Sequence, residues 1–180
     1  MTWLLLRTSG ILVLGLLTVA VALGVLGPAL RNPRLRLISI TVHRTAAVLG
    51  TMLLLTHAVA AVLDHYVEVS LPAVVIPGVS PWQPLWIGLG ALAFDAVLLL
   101  AATSALRRRF PDLWWNVHVI SYVAFVLSWV HAFGVGTDAS EPLMRWLAVG
   151  SAALVGGAAL ARYLLPDGTV GVGLAREVAR

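Results

Sequence analysis

Cysteine is absent from this 180-residue chain. Its absence excludes disulfide bonds, thiolate metal sites, cysteine nucleophiles and iron–sulfur clusters, because each of these requires a thiol. Any redox chemistry of the protein must therefore use a bound cofactor.

Charged residues are scarce as well. Only 11% of the residues are charged, whereas 60% are hydrophobic, and the mean hydropathy is +0.95. Water-soluble domains average about 25% charged and about 45–50% apolar residues, so this composition indicates a membrane protein. The net charge of +4 comes from arginines that cluster between apolar runs, a pattern typical of membrane orientation and not of nucleic-acid binding.

Five apolar runs reach the length of about 20 residues that a membrane-spanning helix needs. We predict helices over about 3–27, 37–63, 84–106, 113–133 and 143–165. The expected fold is an all-α membrane protein, a bundle of five transmembrane helices, with residues 1–166 as one domain and 167–180 as a short tail. A cleaved signal peptide is the alternative for the first run, but its stretch 11–26 exceeds the usual apolar core of about 7–15 residues.

The segment between the second and third predicted helices is rich in proline, with Pro72, Pro77 and Pro81. Proline at this density predicts a loop without a helix. Asp64 and His65 open this segment and are expected to form a solvated helix end. The alternative is that they dock an electron acceptor or a metal.

Arginines determine the expected orientation. Arg31, Arg34 and Arg36 form a basic loop after the first helix, and three further arginines at 107–109 follow the third. Because cytoplasmic loops carry an excess of Lys and Arg, we predict the N-terminus outside and the C-terminal tail in the cytoplasm. The expected location is the plasma membrane, or the inner membrane of a bacterium.

Four histidines lie inside two of the predicted helices. His43 and His57 are fourteen positions apart on the second helix, and His118 and His131 are thirteen positions apart on the fourth. At about 1.5 Å per residue each spacing covers roughly 20 Å of a hydrocarbon core about 30 Å thick. Ionisable groups are costly in a membrane and indicate function, and neutral imidazole is a ready iron ligand.

The helices that carry these histidines run in the same direction, so the histidines pair by depth. His43 and His118 share the cytoplasmic depth and are expected to bind an inner haem iron. His57 and His131 share the external depth and are expected to bind an outer haem iron. The sequence therefore predicts a transmembrane dihaem cytochrome b, with two stacked haems b between the second and fourth helices.

Helical phase agrees with this interpretation only on the second helix. At about 100° per residue, a step of fourteen returns to within about 40° of its start, whereas a step of thirteen misses by about 140°. The fourth helix must therefore be tightened or distorted between His118 and His131, or its histidines approach the two porphyrins from different sides.

The chain resembles the ferric reductase-like transmembrane domain shared by ferric reductases, NADPH oxidases and the haem subunit of the bacterial methionine sulfoxide reductase system. His43-Arg44 followed by His57 carries the resemblance, as does an arginine-rich loop leading to the WWNVH motif at 114–118 and then to His131. The resemblance implies that these four histidines ligate two haems b, which carry electrons outward from the cytoplasm.

The resemblance also implies partners. The expected donor is a separate cytoplasmic flavoprotein reductase or a quinol, with its flavin or quinone on the partner, because we expect the chain to lack a flavin and nicotinamide domain of its own. The expected external acceptor is ferric iron, a quinone or a redox protein. Ala61 replaces an external histidine of the oxidases, so superoxide production is not expected.

Three further residues have open roles. Arg44 either anchors a haem propionate or extends to the cytoplasmic face. Arg7 either lies beside the outer haem or anchors the first helix at the interface. Asp95, near the middle of the third helix, is expected to face the bundle interior, where it is either protonated and hydrogen-bonded or part of a proton route.

Two other functions remain open at this point. One is a quinone-linked cytochrome b, which also uses paired histidines at similar spacing. The other is a haem-free transporter or scaffold in which the histidines bind protons or a metal.

Overall fold

The computed structural model describes residues 2–65, 68–136 and 139–165, and the predicted tail at 167–180 lies outside them. Within these residues the chain is all-helical, without strands. Its helices are α1 (Thr2–Leu26), α2 (Pro33–Leu63), α3 (Leu71–Val75), α4 (Pro84–Leu106), α5 (Pro111–His118), α6 (Ile120–Val135) and α7 (Pro142–Leu164).

Five segments among the described residues are long and apolar enough to cross a membrane. They are Thr2–Ala29, Pro33–Leu63, Pro84–Leu106, Pro111–Val135 and Pro142–Leu164. The fourth segment contains both α5 and α6, and the first extends α1 by a 3₁₀ turn. The predicted five-span helical fold is confirmed.

The N-terminus of α2 lies four residues before its expected position. The side chain of Asn32 caps this end by accepting hydrogen bonds from the backbone N–H groups of Arg34, at 2.9 Å, and Leu35, at 3.4 Å. Pro33 follows in the first turn, where the missing N–H of proline costs nothing. The prediction that Arg34 and Arg36 belong to a loop is therefore wrong, because both lie in the first turns of the helix.

The proline-rich segment contains one helical turn, α3, so the prediction of a loop without a helix is also wrong. Pro72 lies in the first turn of α3, a position that tolerates proline because its N–H would have no partner within the helix. The segment packs against the start of α4. A Cβ atom at Gly88 would lie 2.9 Å from the backbone nitrogen of Gly78, so glycine permits this close approach.

Helices α1 and α4 make most of the packing contacts in the bundle. α1 packs against α2, α7 and α6, whereas α4 packs against α6, α5 and α3. A buried hydrogen bond of 2.6 Å between the hydroxyls of Thr18 and Ser151 joins α1 to α7, next to a small apolar core around Val21 and Ala158. Among the described helices, α2 and α6 are not closely packed, although both carry histidines.

Candidate functional site

The structure brings the four histidines together in two pairs. His43 on α2 and His118 on α5 have ring centroids 6.2 Å apart, with planes inclined by 69°; we call them the first pair. His57 on α2 and His131 on α6 lie close enough to interact electrostatically; we call them the second pair. α2 and α6 are thus parallel, and the two pairs occupy two levels of the bundle.

Both members of the second pair donate to backbone carbonyl groups of neighbouring helices. Nδ1 of His57 lies 3.0 Å from the carbonyl oxygen of Leu6 on α1, and the hydroxyl of Ser9 is 3.4 Å away. Nδ1 of His131 lies 2.8 Å from the carbonyl oxygen of Trp86 on α4. Each imidazole of this pair is therefore held by a helix that carries no histidine of the pair.

The members of the first pair are held differently from each other. Nδ1 of His43 lies 2.7 Å from the carbonyl oxygen of Ala20 on α1. Nδ1 of His118 is buried but has no hydrogen-bond partner among the described residues. The ring of His118 instead lies against Trp114, with centroids 5.0 Å apart, and the Trp114 indole donates to the hydroxyl of Ser104 at 3.2 Å.

These contacts set the tautomer of three histidines. A carbonyl oxygen can only accept, so Nδ1 of His43, His57 and His131 must carry the proton. Nε2 of each neutral imidazole is then an unprotonated nitrogen with a free lone pair. Metal-ligating histidines typically use this arrangement, because the hydrogen bond at one nitrogen fixes the ring and raises the basicity of the other.

The separation of the first pair is the one that two imidazoles bound to a single metal would have. An imidazole nitrogen binds a first-row metal at about 2.0 Å, which places the two ring centres on opposite sides of one metal roughly 6 Å apart. The centroids of His43 and His118 are 6.2 Å apart. Within the described residues no group of three or more His, Cys, Asp or Glu side chains could hold a metal ion.

The fourth span is interrupted directly after His118. Helix α5 ends there and α6 begins at Ile120, while the N–H of Tyr122 donates to the carbonyl of Val119 at 3.2 Å. This bond spans three residues, as in a 3₁₀ helix, which advances about 120° per residue instead of about 100°. The interruption lies between His118 and His131 in the sequence, and its extra rotation removes part of the angular mismatch between them.

The two arginines proposed from the sequence lie next to these contacts. Arg7 follows Leu6 on α1, and its guanidinium carbon is 4.3 Å from the ring centroid of Trp3, a cation–π contact at the end of the helix. Arg44 follows His43 on α2 and is exposed.

Polar residues outside the pairs differ in their surroundings. Asp64 is 7% exposed and accepts a hydrogen bond of 3.0 Å from the Thr2 hydroxyl, so the expectation of a solvated helix end is wrong for this residue. The bond ties the end of α2 to the start of α1. His65 is exposed, as a helix end predicts, and Asp95 on α4 is partly buried.

Sequence reasoning missed the groups that hold the histidines. Three of them are backbone carbonyls, of Leu6, Ala20 and Trp86, and a backbone acceptor has no signature of its own in a sequence. The hydroxyl of Ser104 was missed because only the fold shows that it faces Trp114.

A profile of the ferric reductase-like transmembrane component family matches residues 9–129. The chain belongs to this family. The matched region contains both histidines of the first pair and His57, and His131 lies two residues beyond its end. No curated protein and no solved structure matches the chain. Family membership indicates a role in transmembrane electron transfer for this ferric reductase-like protein.

Proposed function

We propose that this ferric reductase-like protein binds two haems b, one at each histidine pair, and carries electrons across the membrane. The observation that supports the proposal most strongly is the placement of two histidine pairs at two levels of the bundle. The members of the first pair stand at the separation that a shared iron requires. Haem b supplies reversible one-electron redox chemistry when bound.

The residues of the pairs determine what kind of reaction is possible. With two histidines bound to each iron, no coordination site would remain for a substrate, so an electron would pass from donor to acceptor without a bond forming between them. The chain tunes such a site through the hydrogen bonds at Nδ1 and through burial. On this ground we assign the protein to electron transport and not to substrate oxidation at the metal.

We infer that electrons enter at the first pair. Arg34 and Arg36 begin α2 on the same side of the bundle as His43, and the arginine run at 107–109 ends α4 close to the start of α5. Positive charge marks the cytoplasmic side and attracts the acidic face of a redox partner. The proposed donor is a cytoplasmic flavoprotein or a quinol, and the proposed external acceptor is ferric iron, a quinone or a redox protein.

The two arginines receive roles in this scheme. The side chain of Arg44 is exposed beside His43, where its guanidinium can bind a propionate of the inner haem through charge-assisted hydrogen bonds. Arg7 is one residue from the carbonyl that holds His57, so we place it near the outer haem.

The first experiment is spectroscopic. Protein purified after expression with sufficient haem should show b-type Soret and α bands and contain two haems per chain. His43→Ala and His118→Ala should each remove the inner haem, and His57→Ala and His131→Ala the outer one. His65→Ala is the control, because this exposed histidine belongs to neither pair. Absence of haem from the wild-type protein would refute the proposal.

The second experiment tests direction. The protein is reconstituted in vesicles that contain ferricyanide, and the orientation of each population is established by protease access to the C-terminal tail. A reductant that cannot cross the lipid should drive internal ferricyanide reduction when the C-terminal side faces it, and His131→Ala should abolish this transfer. Transfer that persists without either histidine pair would contradict a route through the haems.

A further inference from the structure

Three of the four histidines lie directly over a glycine of the neighbouring helix. A Cβ atom added at Gly10 would lie 3.0 Å from Cε1 of His57, and one at Gly24 would lie 3.3 Å from Cε1 of His43. On α4, a Cβ at Gly90 would lie 2.5 Å from Nδ1 of His131. Any side chain at these positions would therefore push against an imidazole.

Each glycine has the same relation to the carbonyl that its histidine contacts. The accepting carbonyl belongs to the residue four positions earlier, which is Leu6 for Gly10, Ala20 for Gly24 and Trp86 for Gly90. In an α-helix the N–H of residue i+4 binds the carbonyl of residue i. The Cα–Cβ bond of residue i+4 tilts toward the N-terminus, so its side chain would cover the approach to that carbonyl.

The spacing on α1 matches the spacing on α2. Gly10 and Gly24 are fourteen positions apart, as are His43 and His57. The two helices run antiparallel, so Gly10 meets His57 and Gly24 meets His43. This separation corresponds to about 21 Å along both axes. Both imidazoles can therefore reach their carbonyls at the same time without bending either helix.

We propose that Gly10, Gly24 and Gly90 are positioning residues for the haem ligands. The missing side chain at each position lets a histidine donate from Nδ1 to the helix carbonyl and present Nε2 to the iron. This inference rests on the proposed function, because the iron of the proposed haem is what the Nε2 nitrogen would bind.

Four other glycines in the described helices have no such neighbour. A Cβ atom at Gly15 on α1, or at Gly150, Gly156 or Gly157 on α7, would meet nothing described within 4 Å. Small residues often let membrane helices approach each other, but these four are not used in that way. Close contacts also occur at Gly27, Gly88 and Gly134, against Ser39, Gly78 and Trp86, but among the described glycines only Gly10, Gly24 and Gly90 lie against an imidazole.

The fourth histidine, His118, has neither a glycine beneath it nor a carbonyl partner among the described residues. Ser104 lies fourteen positions after Gly90 on α4, beside the Trp114 indole that lies against His118, and it is not a glycine. The carbonyls of Leu99 and Leu100, five and four positions before Ser104, accept hydrogen bonds from the Thr103 hydroxyl at 2.8 and 3.2 Å. Where the glycine is absent, the histidine makes no carbonyl bond within the described part of the chain.

The test is a set of glycine-to-alanine variants in the full-length protein. We compare Gly10→Ala, Gly24→Ala and Gly90→Ala with Gly15→Ala as the matched control on α1. The measurements are haem content per chain, the low-spin electron paramagnetic resonance signals and the midpoint potentials. His43→Ala and His131→Ala identify which signal belongs to which haem.

The expected effects follow the contact distances. Gly90→Ala should lose the outer haem, and Gly10→Ala should lose it partly. Gly24→Ala, with the longest contact, should keep both haems but shift the signal and potential of the inner one. Gly15→Ala should match the wild type.

The pattern of loss separates positioning from misfolding. Loss confined to the haem of the contacted histidine, with the other haem retained, supports the proposal because the bundle must then be folded. If Gly90→Ala yields no folded protein, Gly24→Ala decides, and an unchanged inner signal in that variant overturns the proposal. Wild-type protein without haem would instead refute the proposed function, so the two failures differ.

Discussion

The contact between Ser104 and Trp114 offers a sharp test of how His118 is held. His118 is the histidine without a carbonyl partner among the described residues, and the Trp114 ring lies against it. Trp114→Phe keeps an aromatic ring beside the imidazole but removes the indole N–H that donates to Ser104 at 3.2 Å. Ser104→Ala removes the same hydrogen bond from the other side without changing the ring.

The size of the effect follows from the strength of hydrogen bonds between membrane helices. Such bonds contribute about 0.6 kcal/mol on average and about 1.7 kcal/mol at most. Because about 1.4 kcal/mol is a factor of ten, the loss should weaken inner-haem binding about threefold and at most about twentyfold. Trp114→Phe should cost more than Ser104→Ala, since it also removes packed ring area. The double variant should be no worse than Trp114→Phe, because both changes remove one bond.

Haem transfer to an excess of an apo-globin measures this directly, with the rate of loss followed for each haem. In the wild type the inner haem should leave faster than the outer haem, and Ser104→Ala should accelerate only the inner one. Thr103→Ala is the matched control, because the neighbouring hydroxyl donates within its own helix. Equal acceleration of both haems by Ser104→Ala, or additive effects in the double variant, would refute the reasoning.

Two stability predictions concern contacts away from the histidines. Thr18→Val and Ser151→Ala should each lower the free energy of unfolding by about 1 kcal/mol, with a coupling of about 0.6 kcal/mol in a double-mutant cycle of unfolding in micelles; zero coupling would contradict the bond between α1 and α7. Asn32→Ala should cost about 1 kcal/mol by removing the N-cap of α2, whereas Asn32→Asp should retain most of it in the same measurement.

The five spans could be predicted because their signal is large and local. A run of about 20 apolar residues has few alternatives to a membrane helix. The pairing of His43 with His118 could also be predicted, because two parallel helices with similar histidine spacings place histidines of equal depth side by side. The histidine spacing does not make whole turns, so the sequence predicts either a distortion of the fourth helix or histidines that approach from different sides, and the structure has an interruption at Val119.

The misplaced helix boundaries have a different cause. The start of α2 depends on one side chain, Asn32, which accepts hydrogen bonds from two backbone N–H groups that follow it, whereas the polar character of Arg34 and Arg36 favours a loop. The sequence predicts that Pro72 prevents a helix, although the first turn of a helix accepts proline. Capping and first-turn geometry are weaker sequence signals than hydropathy, but they determine where α2 and α3 begin.

The one-position difference between the two histidine spacings explains why the first pair is asymmetric. The glycines of α1 and the histidines of α2 share one spacing, so both histidines of α2 reach carbonyls. His118 and His131 are one position closer together, which is about 1.5 Å short of the repeat that His131 and Gly90 begin. With His131 fixed on the Trp86 carbonyl, His118 falls out of register with α4. The helix is interrupted at Val119, directly after His118. The ring of Trp114 lies against His118, whose Nδ1 has no hydrogen-bond partner among the described residues.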